Sequence, residues 1–240
     1  METIFIKEGD NLQEKIDEAI LKSSKLVIKK GLYETTPLFI KGALTLEFEE
    51  GATLLATTNE ALYQNIKTRV AGIEMEWYPA LLNVIGTSNV TIKGQGILDG
   101  NGPYWWNKYW GLDMKGGYRK IYDEKGLRFA ADYDCKRPRN LLVQNSSNVK
   151  IYDITSTSSG FWNIHILYSN DILIENVKIK SEAINSPSTD GIDIDSSYNV
   201  VVNKVETNCN DDSVCIKSGR DFDGIRVGRP SHDITISNSI

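Results

Sequence analysis

A small polar pair recurs ahead of short apolar runs along much of this chain, and only an internally repetitive fold produces such a pattern. Ser88-Asn89 precedes Val90-Thr91-Ile92, Ser147-Asn148 precedes Val149-Lys150-Ile151, and Ser169-Asn170 leads into Ile172-Leu173-Ile174. Tyr198-Asn199 and Ser231-His232 do the same for Val200-Val201-Val202 and Ile234-Thr235-Ile236. In the C-terminal half a second run lies between the pairs: Ile164-His165-Ile166, Ile192-Asp193-Ile194 and Val214-Cys215-Ile216, offset by 28 residues (164 to 192) and then 22 (192 to 214). Units of that length, holding short strands and no helix, belong to a solenoid whose coils stack on one another. The predicted fold class is all-β, a right-handed parallel β-helix. Asn in the tight turns tolerates left-handed backbone and bonds its own main chain, so the Asn residues are assigned structural roles.

One segment reads as a helix. Across residues 11–22, Leu12, Ile16, Ala19 and Ile20 fall at helical spacing, with Asp10 and Gln13 placed as N-cap and its partner. An amphipathic helix here would cap the open end of the solenoid and block edge-to-edge pairing. Residues 101–139 depart from the repeat and read as a large loop, rich in glycine and in Tyr104, Trp105, Trp106, Tyr109 and Trp110. Those rings could stack on sugars or pack the loop against the coil wall. The whole of 1–240 reads as a single domain. Its pattern breaks off inside a strand at Ile240, which predicts a chain truncated at that end.

Composition narrows the partners. With 40% hydrophobic and 25% charged residues the chain can bury a core without staples. A net charge of -5 argues against binding to nucleic acid or to an anionic membrane. The N-terminus carries acid where a signal peptide needs Lys or Arg, and no run approaches the ~18 apolar residues of a membrane span. That predicts a cytoplasmic protein, or a secreted one from which a leader has been removed. Cys135, Cys209 and Cys215 form no CxxC and have no neighbouring His, so free thiols in a core are expected, with no metal site and no cofactor.

The chemistry-bearing residues lie in Ser188-Thr189-Asp190-Gly191-Ile192-Asp193 and Asn210-Asp211-Asp212-Ser213-Val214. Aligning Ile192 with Val214 sets Asp190 opposite Asp212 one coil away, about 4.8 Å, with Asp211 adjacent. Stacked carboxylates suit a bound cation, or acid-base work in which repulsion keeps one carboxyl protonated beside ionised neighbours. Strict alternation would turn Asp190 inward with Ile192, so a bulge or turn at Gly191 is required.

The ordered set Gly94-Gln95-Gly96-Ile97-Leu98-Asp99-Gly100-Asn101-Gly102, Trp105-Trp106, Arg137-Pro138-Arg139, Gly160-Phe161-Trp162-Asn163-Ile164-His165, Thr189-Asp190-Gly191, Asn210-Asp211-Asp212 and Ile216-Lys217-Ser218-Gly219-Arg220-Asp221 resembles the polygalacturonase family, glycoside hydrolase family 28. The resemblance implies inverting hydrolysis of α-1,4-linked galacturonate in pectin. It makes Asp211 the general acid and Asp190 and Asp212 the bases that hold the water. An inverting site leaves ~6.5–9.5 Å between acid and base, a gap that splayed side chains on adjacent coils can reach. Ser188 stands where the family has Asn. Lys217 and Arg220 are candidates to face the uronate, or to neutralise Asp221 and Asp223, and His165 is a candidate substrate contact or a structural donor. The family's Gly-His-Gly and Arg-x-Lys motifs do not occur in this sequence, which predicts weak hydrolysis by the 240-residue chain and a tendency to associate. Two other readings stay open: a calcium-dependent pectate lyase, and a non-catalytic carbohydrate-binding solenoid.

Overall fold

The computed structural model describes residues 3–240, apart from the side chain of residue 129. Met1 and Glu2, part of the N-terminal stretch read above, lie outside the described residues. The repeat becomes three parallel sheets, which among the described residues are eight, six and six strands wide. The first runs from Ile4–Ile6 to His232–Ser237, the second from Gly31–Thr35 to Glu206–Asn208, and the third from Leu38–Ile40 to Val214–Lys217. Successive coils add a strand to each sheet, and with the right-handed crossover that parallel strands favour this is the right-handed parallel β-helix. Ile164 pairs with Ile192 and Ile192 with Val214, so the offsets of 28 and 22 are single coils with turns of different length.

Alternation in each strand fills the interior with ladders of like residues. The first sheet stacks Leu44, Val90, Val149, Ile172, Val200 and Ile234. The third stacks Leu82, Leu141, Ile164, Ile192 and Val214. Each fully buried aliphatic is worth roughly 1.5–3 kcal/mol of transfer free energy, so the stack of coils is the core. The turns form their own ladder. Asn89, Asn148, Asp171, Asn199 and Asp233 all have φ between 50° and 61°. The aligned left-handed residue is therefore Asp171 in one coil and Asp233 in another, one position after the polar pairs read from sequence. Asn and Asp accept this conformation because their short side chains bond locally. Beside them, Ser146 N–H donates to Ser169 Oγ, Ser169 N–H to Ser197 Oγ and Ser197 N–H to Ser231 Oγ, at 3.1, 3.0 and 3.1 Å.

Helix α1 (Leu12–Lys22) buries Leu12, Ile16 and Ala19 against the first coil. Its N-cap is Asn11, whose side chain accepts from Glu14 N–H, and not Asp10. Asp10 instead accepts from Lys7 N–H, while Gln13 pairs both amide atoms with the Phe39 main chain at 2.8 and 2.9 Å, pinning the helix to the third sheet's side.

Residues 101–139 are not a plain loop. They contain α2 (Gly102–Trp110), α3 (Gly117–Glu124) and α4 (Ala131–Asp134). Aliphatic periodicity is absent there because rings do the packing: Trp105, Trp106 and Tyr109 are buried, and Trp106 Nε1–H donates to Ser159 O at 2.8 Å. These rings therefore hold the insertion against the coil. Of the three thiols only Cys135 lies in a core, while Cys209 and Cys215 are partly exposed beside the third sheet. Among the described residues no helix is long and apolar enough to cross a membrane.

Candidate active site

The outer face of the third sheet carries two rows of side chains, Leu142-His165-Asp193-Cys215 and Gln144-Leu167-Asp195-Lys217. Outward residues of a β-helix ordinarily meet water, but His165, Asp193 and Asp195 are fully buried. The cover comes from an antiparallel hairpin, Ile66–Val70 and Ile73–Trp77, together with the helical insertion and α5 (Asp221–Val227). These pieces meet over the sheet: Tyr133 donates to Ala71 O at 3.1 Å, Arg220 N–H to Gly72 O at 2.9 Å, and Arg226 pairs with Glu74 at 2.5 Å. Beneath them Arg69, itself fully buried, donates to Asp195 at 2.9 Å and to Ser196 Oγ at 2.6 Å.

One coil further along, Asp211 and Asp212 are exposed while Asp190 stays buried. Gly191 N–H donates to Asp212 O at 2.8 Å, so Asp190 and Asp212 are coil neighbours as the alignment required. No bulge is needed. The strand begins at Ile192, and Asp190 lies in the turn before it, where alternation does not operate. Glycine at 191 is forced, since a Cβ there would stand 2.4 Å from Ser213 O. The Asp190 carbonyl accepts from Asn163 N–H at 2.8 Å and from its amide group at 3.1 Å. Arg137 donates to Pro187 O at 2.7 Å and pairs with Asp132 at 2.5 Å, and Ser188 Oγ–H donates to Asp132 at 2.9 Å. The Asn163, Arg137 and Ser188 side chains thus hold the turn that presents Asp190.

One carboxylate oxygen from each of Asp190, Asp211 and Asp212 lies within 4.8 Å of the others. This is closer than the gap expected from sequence, because two of the three are chain neighbours and the third is a single coil spacing away. Asp211 lines a cavity of about 210 Å³ together with Tyr109, Arg119, Arg128, Asp132 and Ser188. Burial raises the Asp211 carboxyl, the Asp212 N–H bond opposes that rise, and the Asp212 charge adds to it. Asp190 is pushed up to about 6, first by burial and then by Asp211, against the opposing pull of Lys217. Two carboxyls raised by burial, Asp190 and Asp211, therefore sit beside Asp212 at the edge of a cavity.

The expected substrate contacts fall in three different places. Lys217 reaches this cluster, pairing with Asp193 at 2.5 Å and Asp190 at 3.4 Å. Arg220 does not. It is half exposed, pairs with Asp221 at 3.3 Å and donates to Tyr133 at 3.0 Å, in a separate cavity of about 340 Å³. His165 points outward as alternation predicts, but it is sealed from solvent. Trp162 packs edge-on against it at 4.9 Å, Arg139 lies 2.7 Å from Nδ1 and Asp195 lies 3.8 Å from Nε2. Burial lowers its pKa to about 4, leaving a neutral ring that accepts from Arg139 at Nδ1 and faces Asp195 across 3.8 Å. In this structure it is a buried acceptor for Arg139, packed under Trp162 and out of reach of a sugar.

Sequence reasoning missed Asp193, Asp195 and Arg69. Asp193 had a signal, an acid at an outward strand position stacked on His165. The pairing of Arg69 with Asp195 spans 126 residues and leaves no local trace.

Comparison with known proteins gives this site a family. A Vitis vinifera protein named "Probable polygalacturonase" is 28% identical over 219 residues, covering 89% of this chain and 40% of its own length. An exopolygalacturonase of Zea mays is 27% identical over 221 residues, covering 89% of this chain and 46% of its own. The chain therefore spans less than half the length of these curated relatives. The crystal structure of a hyperthermoactive exopolygalacturonase from Thermotoga maritima superposes with a TM-score of 0.81 at 27% identity, over 99% of this chain and 61% of that one. Residues 57–238 match the family of glycosyl hydrolases family 28, and the chain belongs to that family.

Proposed function

We propose that this chain carries the acid-base residues of an inverting hydrolase acting on α-1,4-linked galacturonate. The observation that carries the acid-base assignment is the convergence of Asp190, Asp211 and Asp212 within 4.8 Å beside the cavity that Asp211 lines, while the inverting outcome follows the family resemblance and not this separation, which is shorter than the ~6.5–9.5 Å of an inverting pair. Asp211, raised by burial and open to the cavity, protonates the leaving oxygen. Covering it with a sugar would exclude water and raise it further in the same direction. Asp190 and Asp212 hold the water and take its proton. A base near 6 is poised for this at mildly acidic to neutral pH. An anionic substrate needs local cations, and Arg119 and Arg128 of the insertion line the same cavity. Eliminating chemistry is not favoured, since the curated relatives are named for hydrolysis of polygalacturonate.

The test is reducing-sugar release from polygalacturonate by wild type and Asp211→Asn. The amide keeps the shape and cannot deliver a proton, so a loss of about 10²–10⁴-fold is expected with an unchanged melting temperature. Wild-type turnover in Asp211→Asn would remove that residue from the acid role. An ultraviolet-absorbing unsaturated product from wild type would replace hydrolysis with elimination.

A further inference from the structure

Lys217 stands where a cation for an acidic sugar was expected, yet its ammonium is already engaged. Nζ lies 2.5 Å from Asp193 Oδ1, 3.4 Å from Asp190 Oδ2 and 4.9 Å from the centre of the Trp162 ring. The Lys217 side chain is 19% exposed and that of Asp193 not at all. The second oxygen of Asp193 is buried without a hydrogen-bond partner, so Lys217 supplies the polar contact that side chain makes at this depth. A sugar carboxylate could reach the ammonium only by displacing one of two carboxylates already in contact with it.

We propose that Asp193 and Lys217 are a positioning pair for Asp190, in which Asp193 anchors the ammonium below the cleft and the ammonium keeps the Asp190 carboxylate ionised and aimed at the water, without touching the sugar's own carboxylate. The inference rests on the reading of Asp190 as a base. Charged groups surround the pair on several elements. On the 192–195 strand they are Asp193 itself and Asp195, the latter compensated by Arg69. On the 214–217 strand Cys215 adjoins Lys217, and Asp211 and Asp212 face Asp190 from the turn before it. From beneath come neutral His165 and, bonded to it, Arg139. Lys217 is thus the cation in contact with Asp190. An opposite charge at such range lowers a carboxyl by about 1–3 pH units, so without Lys217 Asp190 would hold its proton through neutral pH and could not accept one.

The experiment follows the Asp190 carboxyl by ¹³C NMR in aspartate-labelled protein, assigned with Asp190→Asn, in wild type, Lys217→Met and Lys217→Arg. Trigalacturonate affinity is measured on the same samples by calorimetry. Lys217→Met should raise the Asp190 midpoint by about 1 pH unit or more, and Lys217→Arg should stay within about half a unit of wild type. Affinity should change less than about threefold in both. An unmoved midpoint in Lys217→Met overturns the proposal, as does a loss of affinity of about tenfold or more with the midpoint in place, which would make Lys217 a sugar contact. Lys217→Gln gives the same reading if the methionine variant does not fold. Failure of wild type to bind or hydrolyse galacturonate would instead sink the functional reading, and the Asp190 titration would still decide the role of Lys217.

Discussion

Arg69→Met is the perturbation whose cost the structure sets most sharply. Nη1 makes two short hydrogen bonds, 2.9 Å to Asp195 and 2.6 Å to Ser196, and the guanidinium lies 5.0 Å from the Tyr168 ring centre. Both members of the ion pair are fully buried. Methionine retains much of the stem's volume, so the dominant loss is the charge opposite Asp195. Removing one partner of a buried pair costs about 3–5 kcal/mol, because the remaining charge is left uncompensated in a dry site. At roughly 2–4 °C per kcal/mol for a domain of this size, the melting temperature should fall by about 10 °C. Amide exchange should also rise in the hairpin 66–77, which Arg69 ties to the coil. Pairing Arg69→Met with Asp195→Leu removes both charges, and the double variant should be clearly more stable than the sum of the two single losses predicts. A single variant melting within about 2 °C of wild type, or a strictly additive cycle, would refute the claim that this buried pair holds the hairpin down.

Four further outcomes follow from the same geometry. Hydrolytic activity should decline as pH falls through about 6, since Asp190 must be ionised to accept a proton, and a pH–rate profile with a flat acid limb would contradict this. His165 is held neutral down to about 4 while the unfolded chain protonates near its usual value, so it contributes stability above about 6.5 that is lost, by roughly 3 kcal/mol, as pH drops to 4. Asp190, raised to about 6, works in the opposite sense, because the folded state there binds the extra proton. Denaturant midpoints should therefore fall more steeply on acidification in Asp190→Asn than in wild type. Gly191→Ala should cost about 1–3 kcal/mol and reduce activity further, as its Cβ would press on Ser213 O and spread the coils that carry Asp190 and Asp212. A thiol reagent should label Cys209 and Cys215 in the folded protein well before Cys135, whose buried thiol is pushed up to about 11.

The parts of the fold legible in the sequence were those set by local period. Apolar alternation fixed the strands, and the aligned runs at Ile164, Ile192 and Val214 gave the register that brings Asp190 beside Asp212. The helices of 101–139 were not legible, because their buried faces are built from Trp and Tyr between glycines, without the aliphatic spacing that marks α1. His165 shows where pattern reading ends. Alternation assigns its direction correctly, but whether an outward side chain meets water depends here on Trp162 and on Arg139, which a hairpin about 90 residues earlier holds in place. Lys217, which the sequence leaves either to face the uronate or to neutralise Asp221 and Asp223, pairs instead with Asp193 and Asp190. Its partner Asp193 looked like one more polar position in an alternating strand until the coils were stacked.

In the proposed reaction three carboxylates deliver a proton and a water to a galacturonate linkage. Time-resolved proton NMR of trigalacturonate cleavage observes that directly, through the anomer that forms first. Asp190, Asp211 and Asp212 acting on water predict the β-anomer as the initial product, relaxing to the mixture by mutarotation, with none formed by Asp211→Asn. The α-anomer appearing first would mean that one of these close carboxylates attacks the sugar itself, and the water-holding roles given to Asp190 and Asp212 would be wrong.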